Sequence, residues 1–155
     1  MEQYDAIVPA AFGAVGIQTK DDFLIGISLL VGSHAEKRSS DIFTQSVVSQ
    51  VARYLKAPHN DMQVPFAVSG THFQKRVWQA IAAIPSGKVL TYSELAAKVG
   101  SGPRAVANAC GANHIPLFVP CHRVVAKNGL GGFMQGTEGG LAIKQWLLSH
   151  EKTHA

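Results

Sequence analysis

Cysteine is scarce in this chain. Cys110 and Cys121 are the only two in 155 residues, too few for a disulfide framework. Thiols that must stay reduced point to an intracellular, cytoplasmic protein, or a nuclear one if the source is eukaryotic. Charge is sparse as well: 15% of residues are Asp, Glu, Lys or Arg, and no block of like charges marks a disordered tail. No apolar run approaches the ~18 residues of a membrane span. Residues 1–20 lack the basic start and long apolar centre of a signal peptide, so no membrane partner is expected. The cysteines are not spaced as the C-x-x-C of a zinc site, and no metal or other cofactor is expected. The glycine-rich stretch 129–136 lacks the lysine and hydroxyl of a phosphate loop. Residues 1–65 carry no nuclease-like carboxylate cluster.

What is present suffices for a core. The chain is 46% hydrophobic and long enough for one ordinary domain or two small ones. Its charge is uneven. Residues 1–65 hold five Lys/Arg against seven Asp/Glu, and residues 66–155 hold nine against three. A basic C-terminal part beside a mildly acidic N-terminal part suits a DNA-facing half, although an ordinary solvated surface fits equally well.

The N-terminal part predicts strands over residues 12–19 and 23–31, joined at Lys20-Asp21-Asp22 as a hairpin. Asp41 is placed to cap a helix running to about Lys56, with Phe43, Val47, Val48, Val51, Ala52 and Leu55 on its inner face. Pro58 and His59-Asn60-Asp61 close that helix, and residues 62–69 form a link.

Beyond the link, Thr71-His72-Phe73-Gln74 reads as a capping box. The helix it opens carries Phe73, Val77, Trp78, Ile81 and Ile84 on one face and stops at Pro85-Ser86-Gly87. Thr91-Tyr92-Ser93-Glu94 is a second capping box. Gly100-Ser101-Gly102 then turns the chain, and Pro103 suits the first position of another helix. Two short helices about a glycine turn match the helix-turn-helix pattern. The second is nearly bare: Ala105, Ala107, Ala109, Gly111 and Ala112 surround one cation, Arg104. Such a helix can approach a nucleic-acid backbone closely, or pack tightly into a core. The last helix, about 141–150, is expected to bury Leu141, Trp146 and Leu147 or Leu148, with Glu151 at its end.

The chemistry concentrates at Pro120-Cys121-His122-Arg123-Val124-Val125. The apolar run 115–119 reads as a buried strand, and Pro120, having no N–H, ends the pairing. Cys121 then lies on a turn backed by core, beside a histidine able to take its proton. A thiol attacks only as thiolate, and a free cysteine near pKa ~8.5 is little ionised at neutral pH.

With Asn113-His114-Ile115-Pro116-Leu117-Phe118-Val119 before this stretch, and Gly139-Gly140 and Lys144-Gln145-Trp146-Leu147-Leu148-Ser149-His150-Glu151 after it, the chain resembles the O6-alkylguanine-DNA alkyltransferases, or methylated-DNA–protein-cysteine methyltransferases. The similarity runs from about Gly70 to Glu151. It implies an α/β + α fold: a small ribonuclease-H-like α/β scaffold domain over residues 1–65, then a mostly helical, winged-helix-like helix-turn-helix domain over residues 66–155. It implies single-turnover transfer of an alkyl group from O6-alkylguanine in double-stranded DNA, after base flipping, onto Cys121. It leaves open whether O4-alkylthymine is also accepted, and a monomer is the default.

The same resemblance implies the site. His122, through a water, would take the thiol proton, Glu151 would orient His122, and Asn113 would brace the turn. Tyr92 would donate to the departing guanine. The Cys121 and Val124 carbonyls would hold its exocyclic amine, and Pro116 and Phe133 would line the alkyl side. Arg104 would fill the gap left by the flipped base, with Ala105, Ala109 and Gly111 on the DNA-facing helix, and Arg123 would be a structural brace. The relay should hold the Cys121 pKa below ~8.5. The chain departs from the family pattern in three places. His114 follows the asparagine where proline is usual, Tyr92 and Arg104 stand about two residues closer, and Gln135 to Glu138 are extra residues after an early Phe133. The alternative, a non-catalytic alkylated-DNA-binding protein of the alkyltransferase-like type, is disfavoured by the presence of Cys121. A papain-like thiol hydrolase would want its histidine distant in sequence.

Overall fold

The structure is a computed structural model that describes residues 3–58, 62–133 and 139–153. The chain divides into two compact units, Met1–Val68 and Ser69–Ala155.

In the first unit, β1 (Ala6–Ala10), β2 (Gly13–Lys20) and β3 (Phe23–Val31) form an antiparallel sheet in that order. The β2–β3 hairpin is the one expected from sequence, and β1 is an added strand that sequence reasoning left out. The hairpin turns at Asp21-Asp22, both left-handed at φ 52° and 62°. Hairpin twist requires this of a two-residue loop, and aspartate tolerates it better than most side chains. Residues 14–17 of the central strand are buried on both faces.

Helix α1 (Ile42–Lys56) packs on the sheet. Asp41 caps it as expected, accepting from the Thr44 N–H at 3.0 Å and the Thr44 hydroxyl at 2.7 Å. With its proton committed, the Thr44 hydroxyl accepts one from Thr19 on β2 at 2.7 Å. The helix is turned from the expected phase. The buried stripe is Thr44, Val47, Val51 and Tyr54, while Ala52 is exposed. The expected closing residues His59-Asn60-Asp61 lie outside the described residues.

The second unit holds α2 (His72–Ala82), β4 (Leu90–Thr91), α3 (Tyr92–Val99), α4 (Pro103–Gly111), a one-turn 3₁₀ helix (Cys121–Arg123), β5 (Val124–Val125) and α5 (Gly140–Thr153). Both capping boxes form, Thr71 with Gln74 and Thr91 with Glu94. Gly100 ends α3 at φ 69°, a left-handed cap that glycine adopts freely. The Trp78 indole on α2 donates to the Ala109 carbonyl at 2.8 Å, which fixes α4 against α2. β4 and β5 pair in parallel, Leu90 with Val124 and Thr91 with Val125. That short ladder sets Tyr92, the next residue after β4, beside the 3₁₀ turn carrying Cys121.

Two expectations fail here. Residues 115–119 are not a strand. Leu117 is left-handed at φ 75°, the Asn113 side chain accepts from the Ile115 N–H at 3.0 Å, and the Val119 N–H reaches back to the Ile115 carbonyl at 3.0 Å. These local bonds close turns where a strand would need a partner. In α5, Leu141 is exposed at 51% and Trp146 is half-buried, stacked on His150. The buried stripe is Ile143, Lys144, Leu147, His150 and Glu151. Hydrophobic phasing misses it because three of its five side chains are polar.

Candidate functional site

Cys121, His122 and Arg123 occupy consecutive positions of one 3₁₀ turn, and all three are buried. Successive residues of such a turn point about 120° apart. The sulfur therefore faces one way while imidazole and guanidinium face others, although they are sequence neighbours.

Around the sulfur stands Asn113. Its amide donates to the Val119 carbonyl at 2.9 Å and to Cys121 Sγ at 3.2 Å. The thiol itself points at the Cys110 carbonyl, 3.7 Å away. The neighbouring Cys110 thiol and burial push the Cys121 thiol well above the ordinary range, and the Asn113 amide and the Lys144 ammonium pull the other way. Cys110 moves down through its bond with Cys121. The packing around Cys121 thus runs against the expected depressed pKa. A buried thiol beside a second thiol favours its proton, and a base must remove it.

Behind the turn lies a closed charge network. Glu151, 1% exposed, accepts from Arg123 Nε at 2.9 Å, Arg123 Nη2 at 2.8 Å and His122 Nε2 at 2.7 Å. Arg123 Nη1 donates to the Ile84 carbonyl at 2.7 Å. Arg123 is therefore a brace, tying the turn to α5 and to the end of α2. Its charge balances Glu151, which leaves His122 free to be neutral. Burial holds His122 below the ordinary imidazole range, and Glu151 offsets this only in part. A neutral imidazole that donates from Nε2 to a carboxylate carries its lone pair on Nδ1. His122 Nδ1 is buried and has no hydrogen-bond partner among the described residues. The base atom is held available, and Glu151 fixes the tautomer that makes it so.

Tyr92 opens α3 and is half-buried, its hydroxyl 3.5 Å from the Gly132 carbonyl. Burial, and to a smaller extent Cys110, raise its pKa, so it remains a proton-bearing phenol. Gly131, at φ 77°, lies so close that a Cβ would fall 2.7 Å from the Tyr92 ring. Phe133 is 8% exposed, Pro116 is half-buried and Val124 is buried. The extra residues Gln135 to Glu138 lie outside the described residues. The two expected carbonyl acceptors are each already engaged once: Cys121 O takes the Val124 N–H, and Val124 O takes Lys144 Nζ at 2.7 Å. A carbonyl has two lone pairs, so each keeps one.

On α4, Arg104 is exposed at the first turn, and Ala105 and Gly111 are partly exposed. Ala109 is 2% exposed, buried beside the carbonyl that Trp78 holds. It is packing surface and leaves the set of residues that could face DNA.

Sequence reasoning missed Lys144, 0% exposed in the structure. The signal was available: Lys144, Leu147 and Glu151 fall at i, i+3 and i+7, so burying Glu151 buries Lys144. Elsewhere, an open groove of about 830 Å³ in the first unit is lined by residues including Asp22, Ser40, Asp41, Phe43, Ser46 and Gln63, and no cysteine or histidine lines it.

Residues 72–153 match the profile of the DNA-binding domain of 6-O-methylguanine DNA methyltransferase. The chain is 45% identical over 108 residues to a probable methylated-DNA–protein-cysteine methyltransferase of Acanthamoeba polyphaga mimivirus, covering 68% of this chain and 70% of that protein. It is 51% identical over 87 residues to the methylated-DNA–protein-cysteine methyltransferase of Salmonella typhimurium, covering 55% of this chain and 49% of that one, so it spans about half of that relative's length. The fold is similar to the crystal structure of Mycobacterium tuberculosis OGT in complex with DNA, with TM-score 0.77, 31% identity, and 96% and 92% of the two chains covered.

Proposed function

Because the chain belongs to the methylated-DNA–protein-cysteine methyltransferase family, we propose that it repairs DNA directly, moving an alkyl group from O6-alkylguanine to Cys121 once per molecule. The observation that carries the reading is the His122–Glu151–Arg123 network: a neutral imidazole with a free base atom, on the same turn as a protonated thiol.

The reaction needs a proton removed, a carbon transferred and a leaving group satisfied. His122 Nδ1 takes the Cys121 proton through a bridging water, and Glu151 stabilises the imidazolium as it forms. The thiolate, steadied by the Asn113 amide, attacks the alkyl carbon in line. A C–S bond forms, the C–O6 bond breaks, and its electron pair passes into the guanine ring. Tyr92, still protonated, offers its hydroxyl to the charge developing there, and the proton taken from sulfur completes the neutral guanine. The remaining lone pairs of the Cys121 and Val124 carbonyls grip the exocyclic amine, and Pro116 and Phe133 line the alkyl side. The product thioether is stable, and none of the residues placed here can remove it.

The target base must leave the duplex to reach a buried sulfur. In this reading α3 and α4 act as a helix-turn-helix within a winged-helix-like domain over residues 66–155. Ala105 and Gly111 let α4 approach the minor groove, and Arg104 fills the space of the extruded base. Residues 1–65 serve as a ribonuclease-H-like scaffold. The protein works as a monomer in a compartment that keeps thiols reduced, the cytoplasm or a nucleus.

The test is a titration against excess duplex carrying O6-methylguanine, read by intact mass. Uptake should plateau at one methyl group, mapped to the Cys121 peptide. More than one transfer, or modification elsewhere, refutes the assignment, and duplex binding without any mass change points to a binding module.

Arg104→Ala separates extrusion from chemistry. A cation in the first turn of a helix opposes the helix dipole, by about 0.3–1 kcal/mol when exposed. Unstacking a base costs a few kcal/mol. The variant should react with duplex roughly ten- to a hundredfold more slowly, yet at the wild-type rate with free O6-alkylguanine base. Equal slowing of both would return Arg104 to a structural role.

A further inference from the structure

Lys144 is fully buried on α5, and the reaction as drawn does not use it. Its ammonium donates to the Val124 carbonyl at 2.7 Å and to the Gly132 carbonyl at 2.9 Å. It also stands 5.9 Å from the ring centroids of Tyr92 and of Phe133. Two carbonyls and two aromatic faces make a cage for a cation, built from β5, the 129–133 loop and α3. One anchoring carbonyl belongs to Val124, three residues past Cys121, and the other is the carbonyl to which the Tyr92 hydroxyl also points.

We propose that Lys144 is an electrostatic positioning residue: from this cage its positive charge favours the Cys121 thiolate over the thiol, and so sets how readily the nucleophile forms. The inference rests on the reading of Cys121 as nucleophile and adds to it a second device beside His122. His122 is neutral and can only carry the proton away. Glu151 and Arg123 cancel each other. That leaves Lys144 as the standing charge whose sign suits the thiolate, present before the imidazolium forms.

The groups around Lys144 agree with this. Cys110 on α4 and Cys121 on the 3₁₀ turn both favour the charged ammonium, as thiolates would. Tyr92 on α3 is a neutral phenol, and His122 is itself held neutral in part by Lys144. Burial outweighs the thiols and lowers the Lys144 pKa to about 8. The charge is therefore present at neutral pH and is lost as pH rises through about 8, where Cys121 would otherwise be gaining its own.

The experiment reads the thiolate without DNA. The wild type, Lys144→Met and Lys144→Arg are treated with iodoacetamide from about pH 6 to pH 10, and carboxamidomethylation of the Cys121 peptide is followed by mass. Lys144→Met should react about tenfold more slowly at neutral pH, its rising limb displaced about one pH unit upward. Lys144→Arg, which keeps the charge, should stay nearer the wild type. A Lys144→Met protein with the wild-type profile, or an arginine variant as slow as the methionine one, overturns the proposal. Should the lysine variants not fold, the wild-type profile supplies a second measurement. In the wild type the logarithm of the iodoacetamide rate should rise less steeply with pH once Lys144 loses its charge near 8, and a constant slope through that pH overturns the proposal. Both readouts are independent of guanine, so a protein that shifts as described yet takes no alkyl group from DNA would sustain this inference and refute the repair reading.

Discussion

Cys121→Ser should take up no methyl group from alkylated duplex, its rate falling by more than about a thousandfold, while it still binds the duplex. A serine hydroxyl fits the space of the thiol and can keep the Asn113 contact. What it loses is acidity: His122 would have to deprotonate an alcohol rather than a thiol, and an oxygen nucleophile is weak without far stronger activation. The helix proposed to meet DNA carries none of the affected atoms, so binding should survive. Cys110→Ala gives the contrasting result. Cys110 is the largest influence raising the Cys121 pKa. Its removal should leave transfer intact and move the rising limb of the pH–rate profile to lower pH. Single-turnover assays with free alkylguanine base across pH measure both effects. Loss of transfer in Cys110→Ala with retention in Cys121→Ser would exchange the two assignments.

Glu151→Gln should damage stability and chemistry together. The carboxylate accepts three buried hydrogen bonds, two from one guanidinium. The amide keeps the shape but presents an NH₂ where only acceptors serve, and it leaves the Arg123 charge buried without its counter-charge. Breaking one side of a buried ion pair costs about 3–5 kcal/mol. In a unit of this size that lowers the melting temperature by more than about 10 °C. The chemical effect runs through the tautomer. Facing an amide donor, imidazole is satisfied by accepting at Nε2 and moving its proton to Nδ1, which removes the base. Transfer at neutral pH should fall by about 10²–10⁴, the usual worth of a positioned base. Replacing Arg123 by methionine in the same protein removes the orphaned charge and should recover part of the stability but none of the rate. Differential scanning calorimetry beside single-turnover kinetics distinguishes the two effects. A Glu151→Gln protein with unchanged melting and an unchanged pH–rate profile would leave no relay.

Much of this site is legible in the amino-acid sequence. Capping boxes, the Pro103 helix start and the Gly100 turn depend on the chemistry of residues one to four positions apart, so the chain states them directly. The Pro-Cys-His-Arg-Val motif marks Cys121 and His122, and the motif's family brings Asn113, Tyr92 and Glu151 with them. Local hydrogen bonding by Asn113, together with the left-handed Leu117, turns an apolar run that looks like a strand into turns. The phases of α1 and α5 escape sequence reasoning for a shared reason. Their buried stripes include Thr44, Lys144 and Glu151, polar groups with partners on distant elements that are invisible to hydrophobic periodicity.

The sequence by itself thus determined the capping boxes, the helix starts and the turns, and it singled out the proposed nucleophile and the residue types of the proposed relay, because each follows from short-range stereochemistry or from the motif. Only the tertiary structure decided the protonation state of the site. Whether Cys121 keeps its proton, which nitrogen of His122 is free and whether Lys144 carries charge depend on desolvation and on groups eleven to thirty-four residues apart in the chain. Those shifts arise only once burial has removed water and the long-range partners have met.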